Sequence, residues 1–418
     1  MKTLIHSIGT LAGIRGQEIQ YLQGKEMASL PSLNDAWLLI EDDHIHSWGG
    51  KREEKPLADT YIDAHGGTVL PTFCDSHTHL VYAGSREQEF VDKIHGLDYA
   101  EIARRGGGIL NSADRLHDMS EEALYQQAMG RVEEIMRKGT GAVEIKSGYG
   151  LNTEDELKML RVIRRIKETS PLMVVSTFLG AHAVGREYVG RQGDYVNLVI
   201  EEMIPEVGKQ RLADFIDVFC DKGFFTPDET SRILEAGAKW GLRPKIHGQE
   251  LADSGGVDVA VRHHALSVDH LESMTERDIA LILEYNAGAY QPLIPTALPG
   301  TSFFLNLSYA PGRRMIDEGL PLALASDYNP GSTPSGDMKF VLSLACIKMR
   351  LTPEEAINAA TLNSASAMGL ANECGSITQG KYANVIITQP IPSIDFIPYA
   401  YTSPLISLVI LNGNVVYP

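Results

Sequence analysis

The chain has 418 residues, about two to three times a common domain length, which leaves room for one large core and a smaller unit beside it. Hydrophobic residues at 44% and charged residues at 22% describe an ordinary soluble globular protein and exclude a disordered one. With 37 Lys+Arg against 54 Asp+Glu the formal charge is −17, which argues against a nucleic-acid backbone or an anionic membrane as partner. A small-molecule substrate fits, and an anionic one would need cations gathered locally in its pocket.

The first residues, MKTLIHSIGTLAGIRG, break their apolar runs at His6 and lack a signal-peptide core and cleavage site. No later span nears the roughly 20 apolar residues of a membrane crossing. Residues 1 to about 70 read as short strands, with Ala36–Ile40 and His44–Trp48 joined by a turn at Glu41-Asp42-Asp43. The last forty residues read the same way, and their turn at Asn412-Gly413-Asn414 lies between two apolar runs. The two ends, residues 1–69 and 371–418, are therefore expected to share a small sheet domain.

Between them, over 70–370, short apolar runs alternate with amphipathic stretches. The strand-like runs begin at Thr68-Val69-Leu70 leading into Phe73-Cys74, and continue with Gly141–Ile145, Leu172–Val175, Phe215–Val218, Pro244–His247, Leu266–His270 and Leu320–Ala325. The helical ones include 120–138, 153–169, 227–240 and 353–369, with apolar residues at three-to-four spacing. Repeated β-then-α units predict an α/β fold built as a (β/α)₈ barrel, although an open doubly wound sheet has the same periodicity. Cys74, Cys220, Cys346 and Cys374 are scattered without a C-x-x-C pair, so a disulfide framework is not expected and a reducing cytoplasm is.

The sharpest chemical signal is Asp75-Ser76-His77-Thr78-His79. On a strand, alternate residues share a face, so His77 and His79 can grip one ion. His247 and His270 each close a later strand-like run, and Asp327 ends Ala323-Leu324-Ala325-Ser326. Singly, each has a bland explanation: a core histidine, a loop histidine, or an Asx turn before Tyr328-Asn329-Pro330-Gly331. Together they form a converging nitrogen and oxygen set suited to zinc or iron.

This order of motifs resembles the amidohydrolase superfamily, which implies a (β/α)₈ barrel with a β-sandwich assembled from both chain ends. Within it the chain is similar to the imidazolonepropionase family over nearly its whole length. The matching segments are His77–Arg86, Glu144–Gly150, Leu179–His182, His247–Glu250, Asp269–Glu272 and Ser326–Ser332. It departs from the usual pattern at Thr72, where Gly is common, and at Asn384, where Asp is common. The resemblance implies one divalent or trivalent metal ion per chain, zinc or iron, held by His77, His79, His247 and Asp327. It implies substrate contacts from Arg86, Tyr99, Tyr149, His182, Glu250, Asn329, Gly331 and Ser332, and it suggests a homodimer.

The implied activity is a hydrolase acting on a cyclic amide carbon–nitrogen bond: 4-imidazolone-5-propanoate opened to N-formimidoyl-L-glutamate in histidine degradation. Arg86 offers a bidentate fork for the propanoate tail, where an ordinary surface ion pair is the plainer reading. Glu250 is the expected base for the attacking water, His270 the group that polarises the carbonyl, and Asp327 a partner in proton transfer. Dihydroorotase-like, hydantoinase-like and purine deaminase-like chemistry stay open alongside, as does a non-catalytic barrel. Lys146 also admits a second role, as the carboxylated lysine that bridges two metals in some relatives.

Overall fold

The computed structural model describes residues 1–97 and 107–417. Eight parallel strand positions follow one another around a barrel: β1 (Phe73–Thr78), β2 (Thr140–Lys146), β3 (Met173–Ala181), β4 (Phe215–Cys220), β5 (Ile246–Gly248), β6 (Ser267–His270), β7 (Ile294–Ala297) and β8 (Ala323–Leu324). Each pairs with the next in parallel register, for example Val143 with Val174 and His247 with Asp269. β5 is preceded by a separate piece, Arg243–Pro244, also paired with β4. The break falls where Pro244 supplies no amide donor and Lys245 turns its side chain into the barrel.

The last strand is short, so closure relies on the residues around it. Asp327 N donates to the His77 carbonyl at 3.0 Å, and His79 N donates to the Tyr328 carbonyl at 2.9 Å. Beneath them the buried Asp75 carboxylate accepts from the backbone N and Oγ of Ser326, at 2.9 and 2.6 Å. The seam thus draws the first and last metal-type motifs of the sequence together. An open doubly wound sheet is thereby excluded.

The intervening helices start where side chains satisfy their first amides. Ser120 and Asn152 cap Glu121–Arg137 and Thr153–Thr169, while Thr226 with Glu229 forms a capping box ahead of Pro227–Ala238. The stretch expected as one helix over 353–369 is instead Pro353–Asn358, a wide π-helical turn at Ala359–Asn363, and Ser364–Ala367. Asn358 and Asn363 donate from this bend to the carbonyls of Met27 and Leu22, which ties it to the N-terminal segment.

Both chain ends build a second, eight-stranded mixed sheet. Lys2–Ala12 lies antiparallel to Ser32–Glu41 and parallel to Thr68–Pro71, which in turn pairs with Val385–Thr388. Thr68–Pro71 therefore belongs to the terminal sheet, and the chain enters the barrel only at Phe73. The turn between Ile406–Leu411 and Asn414–Tyr417 places Asn412 and Gly413 at φ 49° and 72°, the left-handed pair that a two-residue hairpin of this twist requires. Ile5, Leu38, Val69, Val385 and Ile410 contribute to a core separate from that of the barrel. Thr72, at the junction, packs where Gly141 has no side chain: a Cβ there would stand 2.2 Å from Thr72 Oγ1.

Candidate active site

At the C-terminal end of the barrel, β1 and its exit deliver His77 and His79, β5 delivers His247, and the turn after β8 delivers Asp327. The three imidazoles are buried and offer nitrogen atoms that all lie within 4.8 Å of one another. Asp327 Oδ1 stands 3.6 Å from Nε2 of both His77 and His79. Its other oxygen is fixed by Thr301 Oγ1 at 2.6 Å and Ser332 Oγ at 3.2 Å.

Two carboxylates behind the cluster set the histidine tautomers. His77 Nδ1 donates to Asp269 at 2.7 Å, and His247 Nδ1 donates to Asp217 at 2.8 Å. Nε2 of each is left buried without a hydrogen-bond partner, with its lone pair available. Burial first, then neighbouring positive groups including Lys146, hold His77 and His79 well below the ordinary histidine range, which keeps them neutral.

Lys146 organises this layer. Its ammonium lies 2.5 Å from Glu144, 2.8 Å from Asp217 and 3.6 Å from Asp269, and Lys245 pairs with the other oxygen of Glu144. Burial alone would neutralise Lys146, but Asp217, Glu144 and Asp269 together raise its pKa. A carboxylated bridge needs a neutral amine, so this embrace disfavours the two-metal role.

Above the cluster is a cavity of about 530 Å³, lined by His79, Arg86, Tyr149, His182, His247, Glu250, His270, Asp327, Asn329, Gly331 and Ser332. The tertiary structure therefore gathers the sequence-predicted residues into one place, except His77, which lies buried beneath, and Tyr99, which falls outside the described residues. Glu250 is held by Asp221, whose Oδ2 accepts from the amides of Glu250 and Leu251 at 2.7 and 2.9 Å. Burial lifts the Glu250 carboxyl to about 8 despite the opposing pull of His270. His270 Nδ1 lies 3.6 Å from Glu250 and 3.8 Å from Glu272, and although burial opposes its charge, these carboxylates push it up to about 10.

Several arrangements were not legible in the sequence. Arg86 is buried and pairs with Glu89, not with its neighbour Glu87. The Asn329 side chain is committed to its own turn, donating to the Asp327 carbonyl and Ser332 Oγ and accepting from the amides of Gly331 and Ser332. Phe219, Phe224, Phe304 and Lys93 also line the cavity. Asp217 and Asp269 carry the one available signal, an acid within an otherwise apolar strand, whereas Phe304 lies on the helix Pro299–Leu305 that no motif marks.

With a (β/α)₈ barrel and histidines converging at its C-terminal mouth, the chain belongs to the amidohydrolase family, whose model matches residues 68–416. Solved structures support that fold: a triazine hydrolase variant (TM-score 0.76, 16% identity, covering 100% of this chain and 94% of that one) and E. coli guanine deaminase (TM-score 0.75, 13% identity, covering 100% and 99%). Within that family the chain is a member of the imidazolonepropionase group. It is 54% identical to the imidazolonepropionase of Christiangramia forsetii, covering 100% of both chains, and 43% identical to that of Geobacillus kaustophilus, covering 97% and 96%.

This family is metal-dependent, and the residues present fit a metal. Three buried imidazoles, with Nε2 of His77 and His247 and Nδ1 of His79 unpartnered, stand beside a carboxylate oxygen and form a donor set for one borderline cation. Among the described residues, no other group of His, Cys, Asp and Glu is gathered in this way.

Proposed function

We propose that the protein hydrolyses the cyclic amide of 4-imidazolone-5-propanoate to N-formimidoyl-L-glutamate, with one zinc or iron ion per chain held by His77, His79, His247 and Asp327. The observation that carries this reading is the placement of Glu250 and His270 over the buried histidine cluster, in a chain related over its full length to imidazolonepropionases. The metal would supply Lewis acidity that makes water nucleophilic near neutral pH.

The chain's own groups account for the rest. In its ionised form, which the adjacent His270 favours against burial, Glu250 takes the proton of the attacking water on a carboxylate oxygen, as the hydroxyl adds to the ring carbonyl carbon. His270, held as an imidazolium by Glu250 and Glu272, donates an N–H to the carbonyl oxygen as charge develops there. Collapse breaks the carbon–nitrogen bond, and the ring nitrogen leaves with a proton returned through Glu250 or Asp327. Arg86 at the rim receives the carboxylate tail, and Tyr149 and His182 wall the ring's site. The barrel, entered at Phe73, would carry all of this chemistry, with the sheet built from both chain ends as a separate domain in a cytoplasmic enzyme.

An ultraviolet assay of freshly generated 4-imidazolone-5-propanoate tests the reading. Metal-loaded wild type should consume the compound to N-formimidoylglutamate. His247→Ala and a chelated sample should fail, and Glu250→Gln should retain metal but lose about 10²- to 10⁴-fold in kcat. A metal-loaded wild type that leaves the compound at its spontaneous decay rate would overturn the assignment.

A further inference from the structure

Arg86 does not face the cavity with its charge uncompensated. Its Nε and Nη2 both donate to Oε2 of Glu89, at 2.9 and 2.6 Å, and the other Glu89 oxygen accepts from Gly108 N and Asn111 Nδ2, each at 3.0 Å. The side-on fork of the guanidinium is therefore occupied, and the pair is close to neutral as a unit. What remains is the Nη1 edge, which lies against Gly331: a Cβ on that glycine would stand 2.2 Å from it. In a protein of net charge −17, a neutralised arginine is a weak recruiter of an anion.

The second cation stands two turns further along, near the end of the helix Glu87–Ile94. Lys93 lines the same cavity and sends Nζ to the Gly331 carbonyl at 3.3 Å, so it and Arg86 converge on one backbone residue. Its ammonium also lies 5.5 Å from the Phe304 ring centroid. Among the described residues no carboxylate lies within ion-pair distance of it, unlike Arg86. Burial, reinforced by Arg86, lowers its pKa, so an anion docking beside it would relieve a real cost.

Resting on the reading that the substrate carries a propanoate tail, we propose that Lys93 is the second cationic ligand of that carboxylate, acting with the free edge of Arg86 above Gly331. It thereby sets the preference for an anionic tail over a neutral one. The arrangement explains how the pocket binds an anion although its arginine is already paired. One ammonium and one guanidinium edge meet the two carboxylate oxygens, and Gly331 leaves the room for them.

The test compares metal-loaded wild type, Lys93→Met and Lys93→Arg on 4-imidazolone-5-propanoate and on its methyl ester, which keeps the ring but removes the tail's charge. Lys93→Met should raise KM for the acid by about tenfold to a hundredfold, the worth of a charge-assisted hydrogen bond, with kcat within about threefold. KM for the ester should not change, and Lys93→Arg should restore most of the loss for the acid. An unchanged KM for the acid, or an equal rise for acid and ester, overturns the proposal. If wild type opens neither ring, the functional reading fails on its own account. Lys93 is then judged by calorimetric binding of 3-(imidazol-4-yl)propanoate, a tail-bearing compound with no amide to cleave: weaker binding to Lys93→Met sustains the role and equal binding removes it.

Discussion

His182 shows how burial sets a protonation state at the scale of one residue. Its ring lies parallel to that of His79, with centroids 5.1 Å apart, and Nδ1 donates to the Gly148 carbonyl at 3.0 Å. Burial, then the nearby His247, push its pKa from 6.5 down to about 3, so it remains neutral and presents its other nitrogen as an acceptor. The unfolded histidine takes up a proton near 6.5 and the folded one near 3, so acidification through that window favours the unfolded chain. The penalty reaches about 2 kcal/mol at pH 5. Urea melts of metal-free protein should therefore show His182→Asn losing less stability than wild type between pH 7 and pH 5; parallel losses would place the titration elsewhere. The histidine was visible in the sequence through the Leu179-Gly180-Ala181-His182 motif. Its charge state was not, because that depends on what surrounds it. Arg86 teaches the same lesson, since its partner Glu89 could be named only once the helix had formed.

At the scale of elements, the buried ions tie neighbouring strands together. Glu144 and Lys146 come from β2, Asp217 from β4 and Asp269 from β6, and the last two orient the histidines of β5 and β1. Lys146→Met would strand Asp217 and Asp269 in the interior, at a cost of about 3–5 kcal/mol in stability. It should also weaken metal binding by about tenfold to a hundredfold, because the histidine tautomers lose their support. Metal titration by calorimetry beside a urea melt checks both, and unchanged metal affinity would show that the network serves stability alone. Hydrophobic periodicity announced the helices at 120–138, 153–169 and 227–240, and the Asn-Gly hairpin was legible in two residues. The π-helical bend at Ala359–Asn363 was not, because Asn358 and Asn363 are held by contacts more than 300 residues distant in sequence.

At the scale of the molecule, the barrel closes across a seam where β8 has only two residues. His77 and His79 lie on one side of that seam and Asp327 on the other, so an ion held by all three would act as a clasp. Chelation should lower the melting temperature and speed hydrogen exchange at the His79 and Asp327 amides, which carry the cross-seam bonds. Metal restored at a hundredfold over its Kd should return about 2.7 kcal/mol. Exchange that quickens evenly over the whole barrel would argue against a clasp.

The chain's repeated β-then-α pattern, its strand-rich ends and its histidine and aspartate motifs are local properties, and by themselves, with the family resemblance they carry, they pointed to the architecture, the candidate ligands and the chemical class. Which acid supports which histidine, where Lys146 and Lys93 place their charge, and how Arg86 is neutralised were decided only by the tertiary structure. Those relations depend on distances between residues far apart in the chain, and burial then turns the same distances into protonation states and electrostatic energies.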